Sequence, residues 1–379
     1  MHIHTPAHDE PRKAMKVLFI LPNVAVGGVE RVRLTLMRQL VADGIECLLA
    51  LRRCRGELIE RAREIVSVHE LAPRGIHQFI PELARLIERE QPTHVVTAFS
   101  DVAVLAWIAM RLARSRARWV HSVHNTHSMA GARRGFWGRL RYRLENRMAG
   151  FAYRRADAIV TVSEGVRQEI LGRYLIDSDR VTTIYNPAVP DDQLKWVRPS
   201  QLGGAGIHRI VAIGRLVHQK GFDILIRAMA HTTGSWQLDI WGEGAERPNL
   251  EAFISENELQ DRITLRGYTP DPYAVLREAD LFVMSSRHEG LPATLIEALA
   301  CQCQIVATDC PHGPREILND GQLGQLIPVE DESALSDAIT RAIGGTSYVE
   351  PHLLRDRASD FLRSACCTRW ESVLRSLDV

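Results

Sequence analysis

The strongest constraint in this sequence is an alternation: short β-branched runs recur between longer segments of helical period, and the series breaks once and starts again. The first series predicts strands at Val17–Leu21, Ile45–Leu51, His94–Phe99, Trp119–Val123, Ala158–Val162 and Val181–Ile184. The second predicts them at Ile210–Ile213, Gln237–Ile240, Ile263–Leu265, Leu281–Val283, Gln304–Ala307 and Gln325–Ile327. Strands separated by helical segments read as βαβ units and hence as parallel sheets. Between the series, Pro187, Pro190, Pro199 and the run Gly203, Gly204, Ala205, Gly206 suit a linker better than an element interior. At about 150 residues per domain, a chain of 379 residues is long enough for two. The expected fold class is α/β: two doubly wound, Rossmann-like domains facing a cleft, with ligands at the carboxyl ends of the strands. The expected boundaries are a loose tail at 1–14, a first domain at 15–190, a linker at 191–207, a second domain at 208–355, and a helix at 356–379 that returns to the first domain. That last helix is read from the spacing of Phe361, Leu362, Ala365, Trp370, Val373 and Leu374.

Composition narrows the function classes. Hydrophobic residues at 45% and charged residues at 25% exclude a disordered or disulfide-dense chain. The longest strongly apolar stretch, Val102–Met110, is far short of the roughly 20 residues a membrane span requires. The amino-terminal segment is polar and lacks the apolar core of a secretory signal. Seven cysteines without a paired C-x2-C framework fit a reducing, cytoplasmic setting. The net charge of +1 hides an asymmetry: Arg111 to Arg155 contains twelve arginines and a single acid, Glu145.

Several turns carry residues suited to phosphate and sugar chemistry. Gly27 and Gly28 lie between the first strand and an amphipathic helix, where free N–H groups favour an anion; a purely structural turn fits them equally. In the second half, Gly214-Arg215 leaves a strand and Lys220-Gly221 opens the next helix. These two cations can converge on one diphosphate, the arginine by a forked pair of hydrogen bonds and the lysine as a point charge. Two solvated surface cations is the plain alternative. The most specific signal is Glu289-Gly290-Leu291-Pro292-Ala293-Thr294-Leu295-Ile296-Glu297. Its first glutamate falls just before a helix N-terminus and its second about two turns along the segment, so both can look into one site beside the helix's anion-attracting end. His121 lies in the fourth predicted strand and His124 and His127 follow it, on a segment without a matching carboxylate for metal ligation.

This pattern resembles the E-x7-E motif of retaining glycosyltransferases of family 4, which have the GT-B fold. Gly214-Arg215 with Lys220-Gly221 resembles that family's diphosphate-binding segment. Gly27-Gly28-Val29-Glu30, Val162-Ser163-Glu164, Ile184-Tyr185-Asn186-Pro187 and Trp241-Gly242-Glu243-Gly244 resemble further family segments, in order, over about residues 15 to 345. Asp309 to Ile317 resembles bacterial transferases that build surface polysaccharides such as lipopolysaccharide. The resemblance implies that Arg215 and Lys220 hold the donor diphosphate, helped by Gly28, Gly290, Leu291, Pro292 and Thr294. It implies that Glu289 and His124 act on the donor sugar, and that Glu297, Tyr268 and Gly242 lie at the ribose and base. The first domain would then bind the acceptor and the second the nucleotide sugar. The implied reaction is metal-independent hexosyl transfer with retention, from a UDP-linked hexose or N-acetylhexosamine to a glycan or lipid-linked acceptor, with no cofactor beyond the co-substrate.

The arginine block adds a surface. Trp137, Leu140, Leu144, Met148 and Phe151 form one helical stripe, flanked by Arg139, Arg141 and Arg143. A basic amphipathic helix of this kind can lie on an anionic membrane, here the inner face of the cytoplasmic membrane, and the same stripe can equally serve as internal packing. Other classes stand beside the leading one: a nucleotide-sugar epimerase or hydrolase on the same fold, a catalytically inactive scaffold, or a nucleic-acid-binding protein using the arginines. The last is disfavoured, because the segment lacks the stacking aromatics or recognition motif of such modules.

Overall fold

The computed structural model describes residues 15–24, 28–54, 56, 58–71, 78–124, 136–198 and 206–378, with the side chains of 28 and 136–142 outside the description. The first series of apolar runs forms β1 (Lys16–Leu21), β2 (Glu46–Leu51), β3 (Ser67–Glu70), β4 (His94–Thr97), β5 (Arg118–Val123), β6 (Ala158–Thr161) and β7 (Val181–Thr183), in the order β3-β2-β1-β4-β5-β6-β7. β1 runs parallel to both β2 and β4, with Phe19 opposite Leu49 on one side and Val96 on the other. Leu18, Phe19, Ile20 and Leu21 are all buried, so consecutive residues pointing to opposite faces are both covered. That is the condition under which a parallel strand reads as a continuous apolar run and not as an alternation.

The second series forms β8 (His208–Ile213), β9 (Trp236–Trp241), β10 (Ile263–Gly267), β11 (Leu281–Met284), β12 (Gln304–Thr308) and β13 (Gln325–Ile327), ordered β10-β9-β8-β11-β12-β13. All its pairings are parallel. Its core gathers Ile210, Leu225, Met229, Trp236, Ile240 and Val283 with residues of the covering helices such as Leu335 and Ile339. The order reverses between β8 and β11, which are neighbours in the sheet although β9 and β10 separate them in sequence. Loops leaving the carboxyl ends of two such strands diverge to opposite sides and open a crevice.

Among the described residues, twelve of the thirteen strands coincide with predicted ones to within a few residues. The other, β3, is a four-residue edge strand, Ser-Val-His-Glu, paired only with β2.

The chain divides into two compact units: Met1–His121 with Phe151–Ala158 and Val373–Val379, and Ser122–Gly150 with Ile159–Ser372. The Pro-rich stretch expected to begin the linker is bound within the second unit. Tyr273 Oη donates to Ala188 O at 2.9 Å, Arg277 to the Gln193 side chain at 2.7 Å, and Arg198 to the carbonyls of Cys301, Ala279 and Leu276. Arg198 takes up carbonyls at and just beyond the ends of the helices Pro272–Arg277 and Ala293–Ala300, which the helices leave free to accept.

The single helix expected at 356–379 is two, Pro351–Ala358 and Arg363–Ser376. The break comes at Leu362, extended with ψ 142°, because Val189 N donates to Phe361 O and Arg363 N donates to Val189 O. Phe361 is fully buried there, its ring 4.7 Å from that of Tyr185. The chain's last residues count with the first unit, where His94 Nε2 lies 2.9 Å from Leu374 O.

All seven cysteines are free thiols; Cys54 is half-buried and the other six are buried. Burial pushes the thiols of Cys47, Cys310 and Cys366 up to about 12.

Candidate functional site

The two most informative motifs leave adjacent strands. β8 ends at Ile213, and the chain passes through Gly214 and Arg215 to a 3-10 turn, His218–Lys220, then Gly221 and the helix Phe222–His231. β11 ends at Met284, and Ser285 to Pro292 lead into the helix Ala293–Ala300. Because β8 and β11 are neighbours, two motifs 69 residues apart meet: Lys220 Nζ donates to Glu289 Oε1 at 2.6 Å. Ser286 Oγ donates to the same oxygen at 2.8 Å. One carboxylate oxygen is thus fixed twice over. Both side chains are largely buried, 17% and 9% exposed, so the pair is only weakly screened by solvent.

The approach of these loops depends on glycine. Gly221 has φ +64°, and a Cβ there would sit 2.1 Å from Ser285 O. Gly242, after β9, has φ +145° and leaves room for Gly214, whose carbonyl oxygen would lie 1.8 Å from its Cβ. Gly214 N completes the contact by donating to Trp241 O. Lys220's stem runs alongside Gly214, where an added Cβ would lie 3.2 Å from Cδ.

Arg215 is exposed and, among the described residues, makes no side-chain hydrogen bond or ion pair. Gly290, Leu291 and Pro292 are buried and Thr294 is half-buried; together they form the approach and first turn of the helix Ala293–Ala300. Glu297 lies in that helix, half-buried. Burial, and then the nearby Glu297 charge, push the Tyr273 hydroxyl above its ordinary range. Tyr268 follows β10 and is half exposed. His124 is buried, with Nε2 3.1 Å from Ser122 Oγ. Gly28 begins the helix Gly28–Ala42 in the other unit. Of the basic helix, Phe136–Arg155, Arg143 is exposed, and the side chains of Trp137, Arg139 and Arg141 lie outside the described residues, as does His127.

The structure adds contacts that the motifs do not state. His288 is held below its ordinary range by burial and by Lys220 and His218, against the opposing pull of Glu289. Gly290 O accepts from Ser163 Oγ at 3.2 Å. Glu316 accepts from the N–H groups of Glu164 and Gly165 at the start of the helix Glu164–Arg173, and His312 Nε2 meets Glu169 at 2.6 Å. The sequence signal for Ser163 and Glu164 was present as a motif, but nothing in it indicated what they touch.

Two parallel, doubly wound sheets of this order define the GT-B class of glycosyltransferase folds. Within that class, residues 26–192 match the family model "Glycosyltransferase Family 4" and residues 207–344 match "Glycosyl transferases group 1"; the chain belongs to these glycosyltransferase families.

Among its relatives, the N-acetylgalactosamine-N,N'-diacetylbacillosaminyl-diphospho-undecaprenol 4-alpha-N-acetylgalactosaminyltransferase of Campylobacter jejuni is 31% identical over 185 residues, 48% of this chain and 50% of that protein. The lipopolysaccharide 1,6-galactosyltransferase of Escherichia coli K12 is 24% identical over 225 residues, 58% of this chain and 62% of that protein. The matched regions therefore span about half to three-fifths of these relatives' lengths. The fold is shared with the outer-core galactosyltransferase WaaB, with TM-score 0.74 and 19% identity over 96% of this chain and 99% of that one. It is also shared with Anabaena Alr3699/HepE, solved in complex with UDP and glucose, with TM-score 0.76 and 20% identity over 96% and 100%.

Proposed function

We propose that this protein transfers a hexose or N-acetylhexosamine from a UDP-linked donor, with retention, to a glycan or lipid-linked acceptor in bacterial surface-polysaccharide synthesis. In this reading residues 208–355 hold the donor and residues 15–190 bind the acceptor. The observation that carries it is the meeting of Lys220 and Glu289 at the switch point of β8 and β11. Support for the donor class comes from the fold neighbour solved with UDP and glucose. Support for the acceptor class comes from relatives named for lipopolysaccharide and for a diphospho-undecaprenol substrate.

The geometry suits the chemistry. As the anomeric carbon–oxygen bond breaks, negative charge grows on the diphosphate. Lys220, Arg215 and the N–H groups of Gly290 to Thr294 offer preorganised positive charge where it grows. This supply asks for no metal clamp and no cofactor. With Oε1 of Glu289 fixed by Lys220 and Ser286, its second oxygen is the acceptor for a donor-sugar hydroxyl. Glu297 serves the ribose, with Tyr268 and Gly242 beside the base and His124 at the sugar. The acceptor hydroxyl attacks from the face the diphosphate leaves. Its proton passes to the departing phosphate oxygen, so the new bond keeps the old configuration.

Among the described residues, no helix is long and apolar enough to cross a membrane. The acceptors named for the relatives place the protein, in this reading, in the cytoplasm against the inner face of the cytoplasmic membrane, with the basic helix and its exposed Arg143 as the contact.

The deciding experiment is titration with UDP and a panel of nucleotide sugars, followed by turnover with the one that binds. Selective binding of UDP and one UDP-sugar is expected, with turnover reduced about 100- to 1,000-fold in Lys220→Ala. A folded protein that binds no nucleotide, or a Lys220→Ala variant of wild-type rate, would overturn the reading.

A further inference from the structure

Arg287 is 11% exposed and takes no part in the reaction as described, yet it is heavily bonded beside the site. Its Nη1 and Nη2 each donate to one oxygen of Asp223 at 2.8 Å, a forked pair that lysine cannot reproduce. Nη1 also donates to His218 O at 2.6 Å, and Nε to Glu330 Oε1 at 2.5 Å. Its backbone N–H donates to Gln219 O at 2.8 Å, and the Gln219 side chain returns a bond to His288 O at 2.8 Å.

These contacts have a direction. Arg287 lies on the loop after β11, two residues before Glu289, while His218, Gln219 and Asp223 flank Lys220 on the loop and helix after β8. Burial alone would raise the Asp223 carboxyl, but the hydrogen bonds and charge of Arg287, joined by the charge of Arg227, outweigh it and hold the carboxyl below its ordinary range. Arg287 is correspondingly raised, chiefly by its bonds to Asp223. The pair is therefore charged and mutually satisfied well away from the extremes of pH.

We infer that the Arg287–Asp223 clamp is a positioning device: it welds the two donor-site loops together and so fixes Lys220 against Glu289 in the spacing a nucleotide diphosphate meets. The clamp sets the site's readiness for the second phosphate and the sugar. It does not touch the nucleoside. The inference rests on the proposed donor site.

The test compares wild type, Arg287→Ala, Arg287→Lys and Asp223→Asn, with Lys220→Ala as the reference, using UDP and UMP as probes in calorimetric titrations. Circular dichroism confirms that each variant is folded at the working temperature. The expected result is that Arg287→Ala weakens UDP about tenfold or more while UMP changes less than twofold, and that Asp223→Asn does the same. Adding Arg287→Ala to Lys220→Ala should then cost little further UDP affinity, since the clamp acts through the lysine. Should Arg287→Ala not fold, Arg287→Lys decides by the same ratio of UDP to UMP loss. Wild-type UDP affinity in a folded variant, equal losses for UDP and UMP, or strict additivity with Lys220→Ala would each overturn the clamp. A wild-type protein that binds neither nucleotide would instead overturn the donor-site reading itself.

Discussion

Individual side chains in this protein are held in states that depend on their burial. His121 is the clearest example. It is fully buried, with Nδ1 2.8 Å from Thr97 Oγ1 and its ring 5.6 Å from Tyr153. Burial, and then the charge of Arg33, push it down to about 3. An unfolded histidine titrates near 6.5. Below about pH 6.5 the unfolded chain takes up a proton that the native site refuses until about pH 3. Stability should therefore fall as pH drops through that interval, at up to about 1.4 kcal/mol per pH unit from this group alone. Urea unfolding midpoints measured from pH 7.5 to 4 should decline more steeply for wild type than for His121→Gln. Parallel declines would show that the ring titrates in the native state as well.

Elements meet in this protein through backbone as much as through side chains. Gly242 lets the turn after β9 close on the turn after β8, and the space it leaves is filled by a carbonyl oxygen, which cannot rotate away as a flexible side chain would. Gly242→Ala should force those turns apart, costing about 3 kcal/mol of stability and loosening the nucleotide binding proposed for Arg215 and Lys220. A melting curve and a UDP titration on the same sample check both. An unchanged melting temperature would mean that the turn yields freely.

The same scale separates what the sequence discloses from what it conceals. Strand runs such as Leu18 to Leu21 are visible because a sheet covered on both faces needs unbroken apolarity. β3 is not, because a short edge strand can carry Ser67, His69 and Glu70 without burying them fully. Glu289, Lys220 and Arg215 are legible as motif residues, but the contact of Lys220 with Glu289 is stated by neither motif alone. The Arg287 clamp is not legible, although Arg287 and Asp223 lie two and three residues from motif residues. Its partner is chosen by which strands are neighbours, and the order β9-β8-β11 is written in no single segment. The proline-rich stretch misleads in a related way: composition marks the break between two strand series, while Arg198 and Tyr273 bind that stretch firmly.

For the whole molecule, charge is nearly balanced at +1, so any attraction to an anionic surface must be local. Arg143 and Arg147 are exposed on the basic helix. Each arginine near an anionic bilayer contributes about 1 kcal/mol, so Arg143→Glu and Arg147→Glu should each weaken co-sedimentation with phosphatidylglycerol vesicles about fivefold or more, and added salt should weaken it for all forms. Salt-independent or variant-independent sedimentation would remove the membrane from the proposed function.

The buried thiols have a practical consequence of another kind. The native molecule offers a soluble alkylating reagent one accessible cysteine, Cys54, while six stay out of reach. Two thiols, Cys47 and Cys54, belong to the first unit, and five, Cys301, Cys303, Cys310, Cys366 and Cys367, belong to the second. The wild-type chain thus carries its own mass-spectrometric clock: the order in which those sulfurs gain label reports which unit opens first, with no engineered probe and no change to the surface.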